Sequence, residues 1–156
     1  MTKGSTSSAG FVAPVPVVFL GGFVVGILLN LVLPVPIWHS IGVPVIGMVP
    51  LLLGIWLFAS ARAVFRHHMT PLMPLEPSVA LVQDGPYRFS RNPIYLAFAL
   101  MYLGASFIFN SVFLLIVLAL VVLLFDRTQI PREERYLQDK FGEEYTRYKE
   151  KVRRWI

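Results

Sequence analysis

The hydrophobic residues of this chain are gathered into long runs that no charged residue interrupts. No Lys, Arg, Asp or Glu occurs between Lys3 and Arg62, and none occurs between Arg91 and Asp126. Uncharged apolar runs of about 18 or more residues are long enough to cross a bilayer as helices. The pattern therefore predicts an all-α integral membrane protein.

The runs divide into about four predicted transmembrane helices. The first two are expected at 15–33 and 43–65, with a short proline-rich loop between them. The third run, from 92 to 125, would extend about 51 Å as a single helix at about 1.5 Å per residue, whereas the hydrocarbon core is only about 30 Å thick. We therefore expect it to form a helical hairpin that turns near Asn110.

The predicted organisation has three parts. Residues 1–14 form a disordered N-terminal segment, and residues 15–65 contain the first two transmembrane helices. Residues 66–156 form a core that consists of a loop, the membrane hairpin at 93–125 and a C-terminal helix at 131–152.

Basic residues are expected on one side of the membrane. Four arginines fall within 62–91, between the second and third predicted helices, and nine more lysines and arginines follow the last apolar run. The loops around Trp38 and Asn110 contain none. Because short cytoplasmic loops carry the excess of Lys and Arg, both termini and the central loop are predicted to be cytoplasmic.

Composition narrows the possible chemistry. The chain has no cysteine, which excludes disulfides and thiolate metal sites. The adjacent residues His67 and His68 would point about 100° apart on a helix and have no third ligand nearby, so no metal site is expected. The net charge of +5 is explained by membrane topology and contact with anionic lipid, so no nucleic-acid partner is expected.

Two polar stretches are predicted to meet at the membrane surface. Because the hairpin returns to the side from which it starts, it brings "GPYRFSRNPIY" (85–95) close to "DRTQIPREERYL" (126–137). The side chains expected to converge are Tyr87, Arg88, Arg91, Asn92, Tyr95, Glu133 and Glu134. Carboxylates can hold an ammonium group or ribose hydroxyls, arginine can hold a carboxylate, and tyrosine rings attract a cation. This set suits a small zwitterionic or cationic ligand.

The C-terminal segment is predicted to form an amphipathic cytoplasmic helix at 131–152. Apolar and aromatic residues recur there at spacings of three and four, which is typical of one helix face. They are Leu137, Phe141, Tyr145, Tyr148 and Val152. Pro131 is expected in the first turn, with Glu133 and Glu134 at its positive end, and Gly142 is a possible point of bending. The stripe favours packing over ligand binding.

Two linked motifs resemble the isoprenylcysteine carboxyl methyltransferase and phospholipid methyltransferase superfamily. "LVQDGPYRFSRNPIYLAF" resembles the family pattern Leu-Val-x-x-Gly-x-Tyr-x-x-x-Arg-His-Pro-x-Tyr. "PREERYLQDKFGEEYTRYKEKVRRWI" resembles the pattern Glu-Glu-x-x-Leu-x-x-x-Phe-Gly-x-x-Tyr-x-x-Tyr, and a membrane hairpin joins the two in the family as it is expected to do here. The resemblance covers about 70–156, and "RHHMTPLMPLEPS" before it is similar to the linker of bacterial members.

The resemblance implies a bacterial inner-membrane enzyme that uses S-adenosylmethionine to methylate a lipid or small hydrophobic acceptor, a carboxylate or an amine, which enters from the bilayer. The positions that it assigns to cofactor binding are Leu81, Val82, Gly85, Tyr87, Asn92, Pro93, Tyr95, Glu133 and Glu134. The candidate catalytic residues are Arg88, Arg91 and Asn92, with the arginines expected to hold an anionic acceptor or a lipid phosphate.

The chain departs from the family pattern at three positions. Asn92 stands where the family most often has histidine; asparagine donates and accepts hydrogen bonds but does not titrate as a base. Ala97 stands two residues after the motif tyrosine, where the family usually has glycine, and Gln129 stands where some eukaryotic members have arginine. The missing arginine favours a lipid or small hydrophobic acceptor over a prenylated protein.

Two alternatives to the methyltransferase interpretation stay open. One is a membrane reductase that uses NADPH, since sterol and steroid reductases resemble this family in their C-terminal half. A dinucleotide, however, needs more polar contacts than this short chain offers. The other alternative is a non-catalytic membrane scaffold that keeps the fold. Separately, Arg62, Arg66, Arg88 and Arg91 could simply set the topology and touch lipid phosphates. The sequence leaves the oligomeric state open.

Overall fold

A computed structural model describes residues 14–39, 43–67 and 81–156 of the chain. All regular structure in these ranges is helical, which confirms the all-α prediction. The helices are α1 (Val15–Val32), α2 (Val43–His67), α3 (Pro93–Ile108), α4 (Val112–Arg127), α5 (Gln129–Phe141) and α6 (Glu143–Lys151), with a 3₁₀ turn at Gly85–Arg88. The predicted N-terminal disorder up to residue 13, His68 and the linker around Thr70 lie outside the described residues.

The helices have the length and surface of a membrane protein. Within the described residues, three stretches are long and apolar enough to cross a bilayer: Val15–Val32, Val45–Val64, and the run Val112–Phe141 that contains α4 and α5. The apolar helix α3 is shorter, with 16 residues. Large apolar side chains such as Leu20 and Trp56 face outward, and exposed apolar surface of this extent suits lipid. The chain is therefore an integral membrane protein, as predicted.

Glycine allows α2 and α3 to pack with their backbones in contact. A Cβ atom placed on Gly104 would lie 2.6 Å from the carbonyl oxygen of Gly47 and 2.6 Å from the amide nitrogen of Leu51. A Cβ atom on Gly54 would lie 2.7 Å from the carbonyl oxygen of Ala97. Small residues at such contacts are the usual means of close helix packing in membranes, so these glycines fix the position of α3 relative to α2.

An aromatic core joins α1 to the hairpin formed by α3 and α4. The ring of Phe19 stacks on Phe98 with centroids 5.6 Å apart and on Phe125 with centroids 5.4 Å apart. Tyr95 meets Phe125 edge-on at 5.1 Å, and both side chains are buried. The core therefore holds the first turn of α3 against the last turns of α4, which places the hydroxyl end of Tyr95 near the start of α5.

The predicted hairpin turn near Asn110 is confirmed. Asn110 has a positive φ of 49°, and its side chain pairs with the backbone of Trp38. The Trp38 amide donates to Asn110 Oδ1 at 3.0 Å, and Asn110 Nδ2 donates to the Trp38 carbonyl at 2.8 Å. One residue therefore closes the hairpin and ties it to the chain that follows α1.

The turn gives a prediction about backbone conformation. Asn110→Gly removes the side-chain bonds to Trp38 but keeps access to positive φ, whereas Asn110→Ala removes both. Because the left-handed conformation costs a residue with a Cβ atom about 1–2 kcal/mol, we expect the alanine variant to be less stable than the glycine variant by about 1 kcal/mol. Thermal unfolding of both proteins in the same detergent measures the difference, and equal midpoints would contradict it.

The C-terminal helix differs from the prediction. The single helix expected at 131–152 is two helices, α5 and α6, which are separated at Gly142, where φ is 51°. Since α5 begins at Gln129, Glu133 and Glu134 lie in its second turn, and the prediction that they occupy the first turn was wrong.

The packing role predicted for the aromatic stripe is confirmed. Tyr145, Tyr148 and Val152 are buried and form one cluster, against which Leu137 and Phe141 pack. The stripe thus crosses the break at Gly142 and holds α6 to α5. It also packs against residues that precede α3, so the C-terminal helices cover the polar stretch before the hairpin.

Candidate functional site

The two polar stretches meet at one end of the helix bundle, as predicted. The hydroxyl of Tyr95, in the first turn of α3, donates to Oε1 of Glu133 on α5 at 2.7 Å. Nη2 of Arg91, just before α3, lies 3.2 Å from Oε1 of Glu134. Both contacts join the two family-like motifs, so the hairpin brings together residues that are far apart in the sequence.

Glu133 is held by two uncharged donors. Besides the Tyr95 hydroxyl, Nε2 of the buried Gln129 donates to the same Oε1 atom at 3.2 Å. Because α5 begins at Gln129, the two residues stand one helical turn apart on the same face. The carboxylate of Glu133 is therefore fixed in orientation and is well suited to hold a cationic or hydroxyl-bearing ligand.

Glu134 lies between two arginines. Nε of Arg154 donates to its Oε1 at 3.1 Å, and Nη2 of Arg154 donates to its Oε2 at 2.7 Å. This is a bidentate pair of the strong, charge-assisted kind, and the hydrogen bond with Glu134 raises the pKa of Arg154. Arg154 also donates through Nη1 to Asp126 at 3.2 Å, and the indole nitrogen of Trp155 donates to the same Asp126 oxygen at 2.9 Å.

The backbone after α6 passes across the corner that precedes α3. We call residues 153–155 the C-terminal strap. Its Arg154 carbonyl accepts from Asn92 Nδ2 at 3.0 Å and from the Ser90 hydroxyl at 3.3 Å. Its Arg153 carbonyl accepts from the Arg91 amide at 3.0 Å. The amide group of Asn92 is thus engaged with backbone, and the strap fixes the conformation of the chain on both sides of Arg91.

Arg91 is a buried arginine, and two of its guanidinium nitrogens lack a well-aligned hydrogen-bond partner within the described part of the chain. Only 12% of its side chain is exposed, and its Nε and Nη1 atoms are buried without a hydrogen-bond partner among the residues that the structure describes. Nearly all buried polar groups in proteins are hydrogen-bonded. Two nitrogens without a well-aligned partner, on a guanidinium beside the neutral Tyr145 hydroxyl, therefore indicate a place where an anionic group, such as a carboxylate, can bind.

Tyrosines line the side of this site formed by α6. The Tyr148 hydroxyl donates to the Tyr87 carbonyl at 2.7 Å. Burial raises the pKa of Tyr87 and that of Tyr148. Burial and the charge of Glu134 raise the pKa of Tyr145, and the charge of Arg91 together with a side-chain hydrogen bond to Arg91 opposes that rise. All three side chains are therefore neutral near pH 7 and offer ring faces and hydroxyl groups.

Three predicted cofactor positions support the site through packing. Leu81 packs on the cluster formed by Tyr145 and Tyr148, and the buried Val82 packs with Tyr87. Gly85 has a φ of 56°, and a Cβ atom there would lie 2.8 Å from a methyl group of Val64 on α2. Glycine at this position lets the 3₁₀ turn approach α2 and so places Tyr87.

Two further predicted positions differ in their surroundings. Pro93 is fully buried at the first position of α3, where its missing N–H costs nothing. Arg88, by contrast, has 71% of its side chain exposed and lies 3.9 Å from Asp84. The structure therefore places Arg91 inside the cluster and Arg88 at its outer surface.

Sequence reasoning missed the residues that connect the site. Ser90, Asp126 and Arg154 were not among the predicted site residues. Ser90 bonds to Asn92 and Arg154 bonds to Glu134, both of which were predicted, and Asp126 bonds to Arg154. Arg154 was counted only as one of the many basic residues that set the topology. Its apolar neighbours Val152 and Trp155, which interrupt the basic run, were the signal that this part of the chain packs on the protein.

Comparison with known proteins identifies the family. The family model described as phospholipid methyltransferase matches residues 43–144, which include α2, the corner before α3, the hairpin and both glutamates. The chain belongs to the phospholipid methyltransferase family. The resemblance derived from the two motifs is thereby confirmed.

Several similar proteins are named as isoprenylcysteine methyltransferases. Protein-S-isoprenylcysteine O-methyltransferase B of Arabidopsis thaliana is 31% identical over 108 residues, which are 68% of this chain and 55% of that protein. The enzyme of the same name from Saccharomyces cerevisiae is 30% identical over 110 residues, 69% of this chain and 46% of that protein. This phospholipid methyltransferase family member thus spans about half the length of these relatives.

A shorter match is much closer in sequence. An uncharacterized protein of Haemophilus influenzae is 60% identical over 35 residues, which are 22% of this chain and 56% of that protein. No solved structure matches this phospholipid methyltransferase family member.

Proposed function

We propose that this protein is a membrane-embedded methyltransferase that uses S-adenosylmethionine to methylate a lipid or small hydrophobic acceptor with a carboxylate or an amine. The observation that carries the proposal is the pair of contacts between the two family motifs, Tyr95 to Glu133 and Arg91 to Glu134. These contacts enclose a buried guanidinium with spare donors. Family membership and the names of the relatives support the reaction class.

The residues present fit the proposed cofactor. S-adenosylmethionine carries a carboxylate, an ammonium group, ribose hydroxyls and a sulfonium. The spare nitrogens of Arg91 suit the carboxylate, and the oriented carboxylate of Glu133 suits the ammonium group or the hydroxyls. The carboxylate and the ammonium group of the cofactor thus each have a counterpart among neighbouring residues.

The protein's contribution to the reaction is positioning. The bound cofactor supplies an electrophilic methyl group. Arg91 and Glu133 orient the donor, while the packed tyrosines of α6 exclude water, and such positioning lowers the barrier to an in-line displacement. Asn92 donates to the Arg154 carbonyl and has no titrating proton, so we assign it no base role. A carboxylate acceptor needs no base, whereas an amine acceptor must lose its proton before it reacts.

We propose that the acceptor reaches this site from the bilayer. The outer faces of α1, α2 and α4 carry exposed apolar side chains, among them Val17, Leu52 and Leu120, and the site lies where α3 begins and α4 ends. Exposed arginines such as Arg88 and Arg127 flank it. Their position supports an arrangement with the site and both termini on the cytoplasmic side of a bacterial inner membrane.

Binding and transfer test this function directly. Purified protein in detergent is titrated with S-adenosylmethionine and, separately, with NADPH by calorimetry, and is then incubated with tritiated S-adenosylmethionine and a bacterial lipid extract. We expect binding of S-adenosylmethionine, no binding of NADPH and label in the lipid fraction. Binding of NADPH alone would favour a reductase, and binding of neither ligand would overturn the proposed function.

The acceptor is identified in cells. Lipid profiles of a strain that lacks the gene are compared with those of the same strain with the gene restored. We expect one species in the deletion strain to be lighter by one methyl group, and its chemical class names the acceptor. In the assay with tritiated S-adenosylmethionine, transfer of label to a protein fraction and none to lipid would contradict a lipid acceptor.

A further inference from the structure

Of the three residues in the C-terminal strap, Arg154 contacts the largest number of other parts of the site. Its guanidinium contacts Asp126, at the end of α4, and Glu134 on α5. Its carbonyl accepts from Asn92, before α3. It lies beyond residues 43–144, to which the family model extends, so its role is an inference from the geometry of this chain alone.

Glu134 is shared unequally between the two arginines. Arg154 occupies both carboxylate oxygens, at 3.1 Å and 2.7 Å. Arg91 has one contact with the same carboxylate, from Nη2 to Oε1 at 3.2 Å. The remaining Arg91 nitrogens, Nε and Nη1, are those that find no partner among the described residues.

This sharing determines what Arg91 can bind. A guanidinium and a carboxylate that meet without competition commonly form two parallel hydrogen bonds. Arg91 and Glu134 are already in contact and largely buried, with 12% and 15% of their side chains exposed. Without Arg154, both oxygens of Glu134 would be available to Arg91, and the pair would use a second Arg91 nitrogen that is now free.

We propose that Arg154 is a positioning residue that holds Glu134 away from a bidentate pair with Arg91 and so keeps two Arg91 donors available for an anionic group of the ligand. The inference rests on the proposed function, because it concerns the carboxylate of S-adenosylmethionine at Arg91. Glu134 then acts through the arginines, while Glu133 contacts the ligand. The bond from Asn92 to the Arg154 carbonyl holds the strap in place next to Arg91 and Glu134.

The first test compares two arginine substitutions. Arg154→Gln removes the charge and the bidentate bond but leaves the backbone carbonyl that Asn92 and Ser90 contact. We expect its dissociation constant for S-adenosylmethionine, measured by calorimetry on the purified protein, to rise about tenfold or more, as for loss of a charge-assisted contact. Arg147→Gln makes the same chemical change on the exposed face of α6 and is expected to bind like the wild type.

The second test separates positioning from structural support. If Arg154 acts by occupying Glu134, then Glu134→Gln combined with Arg154→Gln frees Arg91 again. The double variant is expected to bind S-adenosylmethionine several-fold more tightly than Arg154→Gln alone. A purely structural role predicts the reverse, because the double variant has lost more contacts, so equal or weaker binding would overturn the inference.

Two further results complete the test. Arg154→Lys keeps the charge but offers only one nitrogen; we expect intermediate affinity with an unfolding midpoint close to that of the wild type, which covers the case in which Arg154→Gln does not fold. Wild-type affinity in either single variant would overturn the inference while leaving the proposed function intact. A wild-type protein that does not bind S-adenosylmethionine would overturn both.

Discussion

Glu133→Gln is expected to weaken binding of S-adenosylmethionine by about tenfold to a hundredfold, because a hydrogen bond to a charged group contributes about 1.5–3 kcal/mol. The glutamine oxygen can still accept from the Tyr95 hydroxyl, which now lies 2.7 Å from Glu133 Oε1. The substitution therefore removes the negative charge and preserves the contact that joins α3 to α5. Calorimetric titration of the purified variant measures the loss.

The matched control is Glu150→Gln, the same change at an exposed position of α6. We expect its affinity for S-adenosylmethionine and its unfolding midpoint to equal those of the wild type. If Glu133→Gln binds as tightly as Glu150→Gln, Glu133 does not contact the cofactor, and the assignment of ligand groups must move to other residues of the site.

Gly104→Ala is expected to destabilise the protein by at least about 1–3 kcal/mol, the usual cost of forcing extra volume into a packed interior. The new Cβ atom would lie 2.6 Å from the Gly47 carbonyl oxygen and 2.6 Å from the Leu51 nitrogen. Both are backbone atoms, so α2 and α3 would have to separate. We expect the Gly104→Ala variant to have a lower unfolding midpoint in detergent than the wild type and a broader elution profile.

Gly21→Ala provides the comparison for this second prediction. Gly21 lies in α1, and no atom is within 4 Å of a Cβ placed there. Because alanine favours helix over glycine by about 0.5–1 kcal/mol, this variant should be as stable as the wild type or slightly more so. Equal loss of stability in both variants would contradict the prediction, because the loss could then not come from the contact between α2 and α3 at Gly104.

The parts of the fold that follow from chain length and polarity were predictable. A single helix over the third apolar run would be longer than the hydrocarbon core is thick, so a turn was required there, and the structure has it at Asn110. The same turn predicted that Arg91 would approach Glu134, which it does. These inferences succeed because the thickness of a bilayer and the rise of a helix are fixed quantities.

Other features depend on information that the pattern does not contain. Pro131 is tolerated anywhere in the first turn of a helix, so it did not show that α5 begins at Gln129. The break at Gly142 depends on a positive φ, which glycine permits but does not require. Arg154 looks like any other basic residue beside a membrane, and only coordinates show that its side chain turns toward Glu134.

The shortness of α3 affects the lipid around the protein. Its 16 residues rise about 24 Å at about 1.5 Å per residue, which is less than the roughly 30 Å of hydrocarbon that they must match. The bilayer becomes thinner beside a helix that is too short, because the polar residues that flank the helix would otherwise be buried in hydrocarbon. We therefore expect the headgroups next to the N-terminal end of α3 to be drawn inward, which would shorten the distance between the lipid surface and the cofactor site proposed at Arg91 and Glu133.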